Sequence, residues 1–114
     1  PFTEFDTNSS YFVFLNSPNT LTVSGEPNPD MNISLDQYWN EPSYPYEFNT
    51  TVEQAMSSVN GTYEFVMKWN NSAQEFMIYS PIQVVKPFTD INVGDGLFVY
   101  TNTTTTLQYN RTEL

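Results

Sequence analysis

This chain opens with a near copy of its own end, and no other feature constrains it as much. Residues 1–25, PFTEFDTNSSYFVFLNSPNTLTVSG, lie over residues 87–111 without a gap at a fixed offset of 86. Pro1, Phe2, Thr3, Phe12, Val13, Asn16, Thr20 and Leu21 recur as Pro87, Phe88, Thr89, Phe98, Val99, Asn102, Thr106 and Leu107, and Phe14 answers Tyr100. Ungapped self-similarity marks a repeat architecture, in which one unit supplies apolar surface that its neighbour covers. Residues 26–86 have no second copy. The expected organisation is an N-terminal hairpin or arm over 1–25, belonging with a preceding repeat or another subunit, and one β-rich domain over 26–114. A start at Pro1 rather than Met reads as a processed or excised form.

Both copies keep the same apolar face on every second residue. The rear copy is expected to pair Tyr100 with Leu107 and Phe98 with Tyr109 around a turn at 102–105. The front copy would pair Phe14 with Leu21 and Phe12 with Val23 around NSPN, where Pro18 suits a turn. Met31, Ile33 and Leu35 alternate in the same way, predicting a strand over 31–39 that leads into a Pro-punctuated aromatic loop. In TYEFVMKW-NNSA-QEFMIYS, a four-residue loop sets Phe65 opposite Ile78, Met67 opposite Phe76 and Lys68 opposite Glu75, so that apolar meets apolar and plus meets minus. One stretch has helical spacing. Within NTTVEQAMSSVNG, Thr50 and Glu53 form a capping box, Val52, Ala55, Met56 and Val59 recur at i, i+3, i+4 and i+7, and Asn60-Gly61 supplies the stop. The sum predicts a mainly β fold: an antiparallel sheet or sandwich of about seven or eight strands with one short helix at about 51–59.

A chain of 114 residues can bury a core without disulfide or metal staples. Neither Cys nor His occurs, which removes thiolate and imidazole chemistry, and with it Ser-His-Asp hydrolysis and the usual zinc sites. Thirteen acidic residues against three basic ones give a net charge of −10, which repels phosphate backbones and excludes nucleic acid as a partner. The longest apolar run, YFVFL at 11–15, is far below the ~20 residues of a membrane-spanning helix, so no membrane span is expected. Asn followed two positions later by Ser or Thr is the strongest compositional signal. It occurs at Asn8, Asn32, Asn49, Asn60, Asn70, Asn102 and Asn110, seven of the 13 Asn, where random placement of the 24 Ser and Thr would give about three. Most of these fall at expected turns, where a bulky glycan stands clear of a core. Covalent glycans are therefore expected and no other cofactor.

A strand reaching Trp39-Asn40 and then Pro45, a helix within 51–61, an aromatic hairpin over 63–79, Gly94-Asp95-Gly96 with Phe98 and Tyr100, and Thr106-Leu107 follow one another in order. That order resembles a repeat domain of archaeal and some bacterial secreted and cell-surface glycoproteins. The resemblance covers nearly the whole chain on short, mostly structural motifs. It departs at Tyr38, where the family pattern has Gly before Trp, at Glu41 and Pro42, where apolar residues would stand, and at Ser9-Ser10, which replace the Asp95-Gly96 of the rear copy. It implies an extracellular or surface module and carries no catalytic residues.

Four further features invite chemistry. Asp90, Asn92 and Asp95 offer oxygen ligands, but the spacing is one residue off a calcium loop and no bidentate Glu follows, so a turn with Gly94 and Gly96 at positive φ explains them better and no metal is expected. Tyr38, Trp39, Tyr44 and Tyr46, with Phe48 beyond, could form a flat platform for stacking sugar rings, or could pack a long loop onto the sheet. Among Glu41, Glu47, Glu64 and Glu75 nothing sets two acids across a cleft for glycoside hydrolysis, and no catalytic residue is expected. The Thr run at 101–106 suits O-linked sugar and β structure equally. The expectation is a glycosylated, non-enzymatic, pilus-like subunit of an extracellular filament or surface layer. It would join copies of itself head to tail by β-strand addition through Phe2, Phe5, Phe12, Phe14, Leu21 and Val23. The alternative is a carbohydrate-binding or adhesion module of a larger secreted protein.

Overall fold

Alternating residues build the strands, and polar side chains bonded to backbone end them. The computed structural model describes residues 2–114, so Pro1 of the repeat lies outside the described residues. The elements are β1 (Met31–Leu35), β2 (Tyr38–Asn40), β3 (Thr50–Thr51), α1 (Val52–Ala55), β4 (Tyr63–Asn70), β5 (Glu75–Tyr79), β6 (Asp90–Ile91), β7 (Leu97–Thr101) and β8 (Thr105–Tyr109). The fold is mainly β with one short helix, and every strand pair is antiparallel. Four strands form a sheet in the order β2-β7-β4-β5, while β1 pairs with β8 and β3 with β6.

Two of these sheets share one core. Ile33, Leu35, Leu107 and Tyr109 of the β1-β8 pair meet Val66, Tyr79, Leu97 and Val99 of the larger sheet, all buried. The helical stripe closes the core as its spacing predicts, with Val52, Ala55, Met56 and Val59 buried. Its start is displaced by one residue. Thr50 is held in β3 opposite Ile91, so Thr51 becomes the cap, its Oγ1 accepting from the Gln54 N–H at 3.1 Å in place of the Thr50–Glu53 box. Ser57 and Ser58, weak helix formers, tighten the second turn into a 3-10 turn over Ser57–Val59, and Gly61 leaves it at φ 81°.

The pairing differs from expectation at four places. The single strand over 31–39 is two strands in different sheets. Asn40 causes the break: its Oδ1 accepts from Asp36 N–H at 2.8 Å and its Nδ2 donates to Asp36 O at 2.9 Å, folding 36–40 into a corner. The rear hairpin is likewise a crossing between sheets. Both edges of β7 are taken by β2 and β4, so after 102–104 the chain enters the other layer and β8 pairs with β1. The expected common face is not formed either: Leu97 and Val99 join Leu107 and Tyr109 in the core while Phe98 and Tyr100 point away, because LFVYT is apolar in both rows and its pattern leaves the inner face open.

In the β4-β5 hairpin each strand is offset by one residue, with Met67 opposite Ile78, Trp69 opposite Phe76, Lys68 opposite Met77 and Asn70 opposite Glu75. Asn70 Oδ1 accepts from Ser72 and Ala73 N–H at 3.1 and 3.2 Å, an Asx turn that keeps Asn70 in the ladder and moves the loop to 71–74. The faces survive this change because both strands move together. Finally, residues 11–29 contain no strand, so the front hairpin is not formed within the chain.

Tyr38 sits at φ 79°, a conformation that favours glycine. Tyr38→Gly and Tyr38→Ala remove the same ring, but only Gly accepts this backbone. In chemical denaturation the Gly variant should be the more stable by about 1 kcal/mol; equal stabilities would show that the backbone there is unstrained.

Candidate functional site

In LFVYT of β7 both alternating rows are apolar, Leu97 and Val99 in one and Phe98 and Tyr100 in the other, and the β2-β7-β4-β5 sheet presents apolar side chains on both sides. Val66, Leu97 and Val99 point into the core. The other row points away from it: Trp39 opposite Tyr100, Tyr100 opposite Phe65, Phe98 opposite Met67, Met67 opposite Ile78, and Trp69 opposite Phe76. Ring centroids lie 5.1 Å apart for Trp39–Tyr100 and 5.8 Å for Phe65–Tyr100 in one group, and 4.9 Å for Trp69–Phe76 and 5.6 Å for Phe76–Phe98 in a second, and Met67 and Ile78 lie between the two groups in the same row. Trp39, Phe65, Trp69, Phe76 and Ile78 are exposed there. The outward row of the β1-β8 pair is the reverse in character, with Asn32, Ser34, Thr106 and Gln108 all polar and exposed.

Residues 8–10 are bonded to the body. Ser43 N–H donates to Asn8 O and Ser10 N–H to Glu41 O, each at 2.9 Å, while Ser10 Oγ donates to Pro42 O at 2.7 Å and accepts from Leu97 N–H at 3.0 Å. Asn28 Nδ2 donates to Pro45 O at 2.9 Å, so the chain returns to the body there. The stretch between is a tongue held at both ends. At its base Phe12 packs on the aromatic row, 6.0 Å from Trp69, 5.8 Å from Phe76 and 5.7 Å from Phe98. Beyond it Phe14, Leu21 and Val23 are 92%, 76% and 82% exposed. Phe2 and Phe5 gather on Tyr11, at 5.4 and 4.7 Å, and remain exposed. The structure thus splits the six expected inter-subunit residues into a local cluster, a base and an uncovered tip.

Six sequon residues, Asn8, Asn32, Asn49, Asn60, Asn102 and Asn110, are exposed. Asn70 is half-buried, its Nδ2 lying 3.9 Å from Met77 Sδ and its Oδ1 holding the hairpin turn. None belongs to the outward aromatic row: Asn70 alternates with it, and Asn102 lies in the turn beyond β7.

The expected four-residue sugar platform separates. Tyr44 and Tyr46 are only 5% and 3% exposed and pack edge-on to Tyr109, their hydroxyls donating to Phe48 O and Pro29 O at 2.8 Å. Three buried phenols around one corner are the loop-packing arrangement. Tyr38 and Trp39 stay on the surface and join Tyr100, at 5.7 and 5.1 Å. Lys68 faces the core rather than Glu75, its Nζ donating to Asp95 Oδ2 and Asp90 O at 3.0 Å beneath the Phe88 ring. Asp95 Oδ2 also accepts from Asn92 N–H at 2.8 Å, so the acidic loop is organised around a lysine. Gly94 has positive φ, 88°, and Gly96 does not; a Cβ there would instead meet Ser10 Cβ at 3.6 Å. Glu47 pairs with Arg111, whose hydrogen bonds hold the carboxyl below its usual range. Glu41, Glu64 and Glu75 are exposed.

Sequence reasoning missed the outward row as a surface and the exposed apolar Ile82, Val84 and Val85 in the linker 81–86. The available signal for the first was that both parities of LFVYT in β7 are apolar, which marks a strand with something to meet on each side. No family model, curated protein or solved structure matches this chain.

Burial, reinforced by Tyr46 and Glu47, pushes the Tyr44 phenol up to about 12, and burial also raises Tyr46, Tyr63 and Tyr109. A phenol whose folded pKa exceeds the unfolded value of about 10 adds stability that is complete below pH 10 and is lost as pH climbs through the folded value. Unfolding midpoints should therefore fall steeply between about pH 10 and 12, with buried phenolate absorbance appearing together with loss of circular dichroism. Gradual ionisation of these phenols in a chain that stays folded would contradict the packing.

Proposed function

We propose that this chain is a glycosylated structural subunit of an extracellular, pilus-like filament or surface layer, in which copies join head to tail as one contributes β structure to the next. The observation that carries the reading is the tongue: Phe14, Leu21 and Val23 stand in solvent on a chain whose own sheets give them no partner strand. Exposed apolar side chains on extended backbone invite pairing with another chain. The edge strand β5, EFMIY, has neither the Pro nor the Lys that commonly blunts such an edge. Seven sequons, six of them exposed, favour an extracellular setting and would coat the assembled surface. Among the described residues no helix is long and apolar enough to cross a membrane. The resemblance to surface-glycoprotein repeats agrees with this reading, which assigns the chain no enzymatic role.

The second reading, a sugar-binding or adhesion module, draws on Trp39 and Tyr38, which remain exposed beside Tyr100. Burial of Tyr44 and Tyr46 removes half of the platform it began with.

Replacing Phe14, Leu21 and Val23 together with Asp should leave monomer stability within about 0.5 kcal/mol, because these side chains are exposed. Electron microscopy should then show monomers where the parent chain forms filaments. Filaments of normal length from the triple variant would contradict the proposal, as would native material that consists of discrete monomers.

A further inference from the structure

We propose that the outward aromatic face of the β2-β7-β4-β5 sheet is the seat for the tongue, residues 13–23, of a second copy of this chain. The inference rests on the filament reading and adds the acceptor surface to it.

Three observations on different parts of the molecule converge here. The first is that the tongue's own base already fits this face: Phe12 lies against Trp69, Phe76 and Phe98. Phe14, two positions on and therefore on the same side of an extended chain, carries the same ring out into solvent. The part of the face that Phe12 leaves open, around Trp39, Tyr100, Phe65 and Ile78, is the chemistry that a Phe, Leu and Val row would cover.

The second is where sugar can attach. No sequon falls between residues 9 and 31 or between 71 and 101, and none lies in the outward aromatic row. The repeat makes the tongue's case pointed. Asn16 corresponds to Asn102, an acceptor by virtue of Thr104, but the tongue has Pro18 where the rear copy has Thr104, so Asn16 accepts no glycan. The two surfaces that escape glycans are also uncharged. The outward row holds no Asp, Glu, Lys or Arg, and neither do residues 11–25. In a chain of net charge −10, two uncharged apolar surfaces of this kind match one another in character, and the face offers the tongue a broad sheet where the other exposed apolar stretch, Ile82, Val84 and Val85, lies in a linker without a strand.

The third is reach and backbone. With both ends fixed near Ser10 and Asn28, a tongue folded at NSPN extends about 25 Å at roughly 3.3 Å per residue, comparable to the 29 Å short axis of the protein. Pairing Phe14 with Leu21 lets the tongue satisfy its own N–H and C=O groups as a two-stranded layer. Such a hairpin is marginal alone and stable once it has an apolar face to lie on. Folding and docking are thus one event. Tongue and seat are different surfaces, so the contact is heterologous and propagates when it does not close into a ring.

The chain's only two tryptophans, Trp39 and Trp69, both lie on the proposed seat, and Trp69→Phe leaves Trp39 as sole reporter at the end away from Phe12. Acrylamide quenching of Trp39 in the full chain, read across a dilution series, should fall by about twofold or more on assembly. The further substitution Phe14→Asp should abolish that protection while circular dichroism of the monomer is unchanged. If electron microscopy shows filaments in which Trp39 is as quenchable as in the monomer, the seat is wrong and the filament reading stands. If no concentration yields assembly, both fall. Protection that persists on dilution would place the tongue on its own face and overturn the proposal. So would protection of monomeric Trp39 by added neutral oligosaccharide, which would give the face to a sugar.

Discussion

A four-stranded sheet with apolar side chains on both sides needs two partner layers, and this chain supplies one. The β1-β8 pair and the short helix cover the inner row of Val66, Leu97 and Val99 completely. Opposite them, Trp39, Tyr100, Phe65, Trp69 and Phe76 form an aromatic surface on which Phe12 packs at one end while Trp39, Phe65, Trp69 and Phe76 stay exposed. Burying apolar area at about 25 cal/mol per Å² makes such a surface a standing drive toward association. The tongue, the placement of the sequons and the unguarded edge of β5 acquire a common meaning from that one imbalance.

Side-chain faces were legible in β4, β5 and the helix but not in β7. There Phe98 and Tyr100 were expected to share a covered face with Leu107 and Tyr109, and Leu97 and Val99 are instead the buried row; strand register was not legible. Phe65 and Met67 share a face with Phe76 and Ile78 as the alternation predicts, and the stripe from Val52 to Val59 is buried as its spacing predicts. The offset in β4-β5 came from one side chain, Asn70, whose carboxamide caps the turn and stays in the ladder. The rear hairpin resolved into two layers because β7 already has a neighbour on each edge, a fact of topology that no local pattern contains. Tyr44 and Tyr46 were ambiguous for a physical reason: a phenol suits a sugar platform or a buried corner equally, and what decides is whether a carbonyl waits for its hydroxyl. Phe48 O and Pro29 O do. Tyr38 was not legible at all, since nothing in its local sequence marks the left-handed backbone it adopts.

The repeat that opened the sequence now has a structural sense. Residues 97–109 supply β7 and β8, one strand to each layer of the sandwich, and the tongue restates that stretch without joining either layer. It keeps the apolar residues, loses the acceptor sequon at Asn16 and is tethered by Ser10 to the loop that carries Gly96. If a segment built like a strand pair but left outside the chain's own sheets has its complement in a second copy, as proposed, the aromatic face of this sequon-rich, acidic molecule is the surface of matching character. On the proposed reading the sugars then do the negative work, leaving one route by which copies meet.

Amide hydrogen exchange of residues 11–27, measured on isolated monomer and on assembled material, addresses that account most directly. Exchange of the tongue should be nearly unprotected in the monomer and slow by orders of magnitude after assembly, with β4 and β7 equally protected in both. Tongue amides that are already protected in dilute monomer would mean that the chain completes its own surface, and the account would fail.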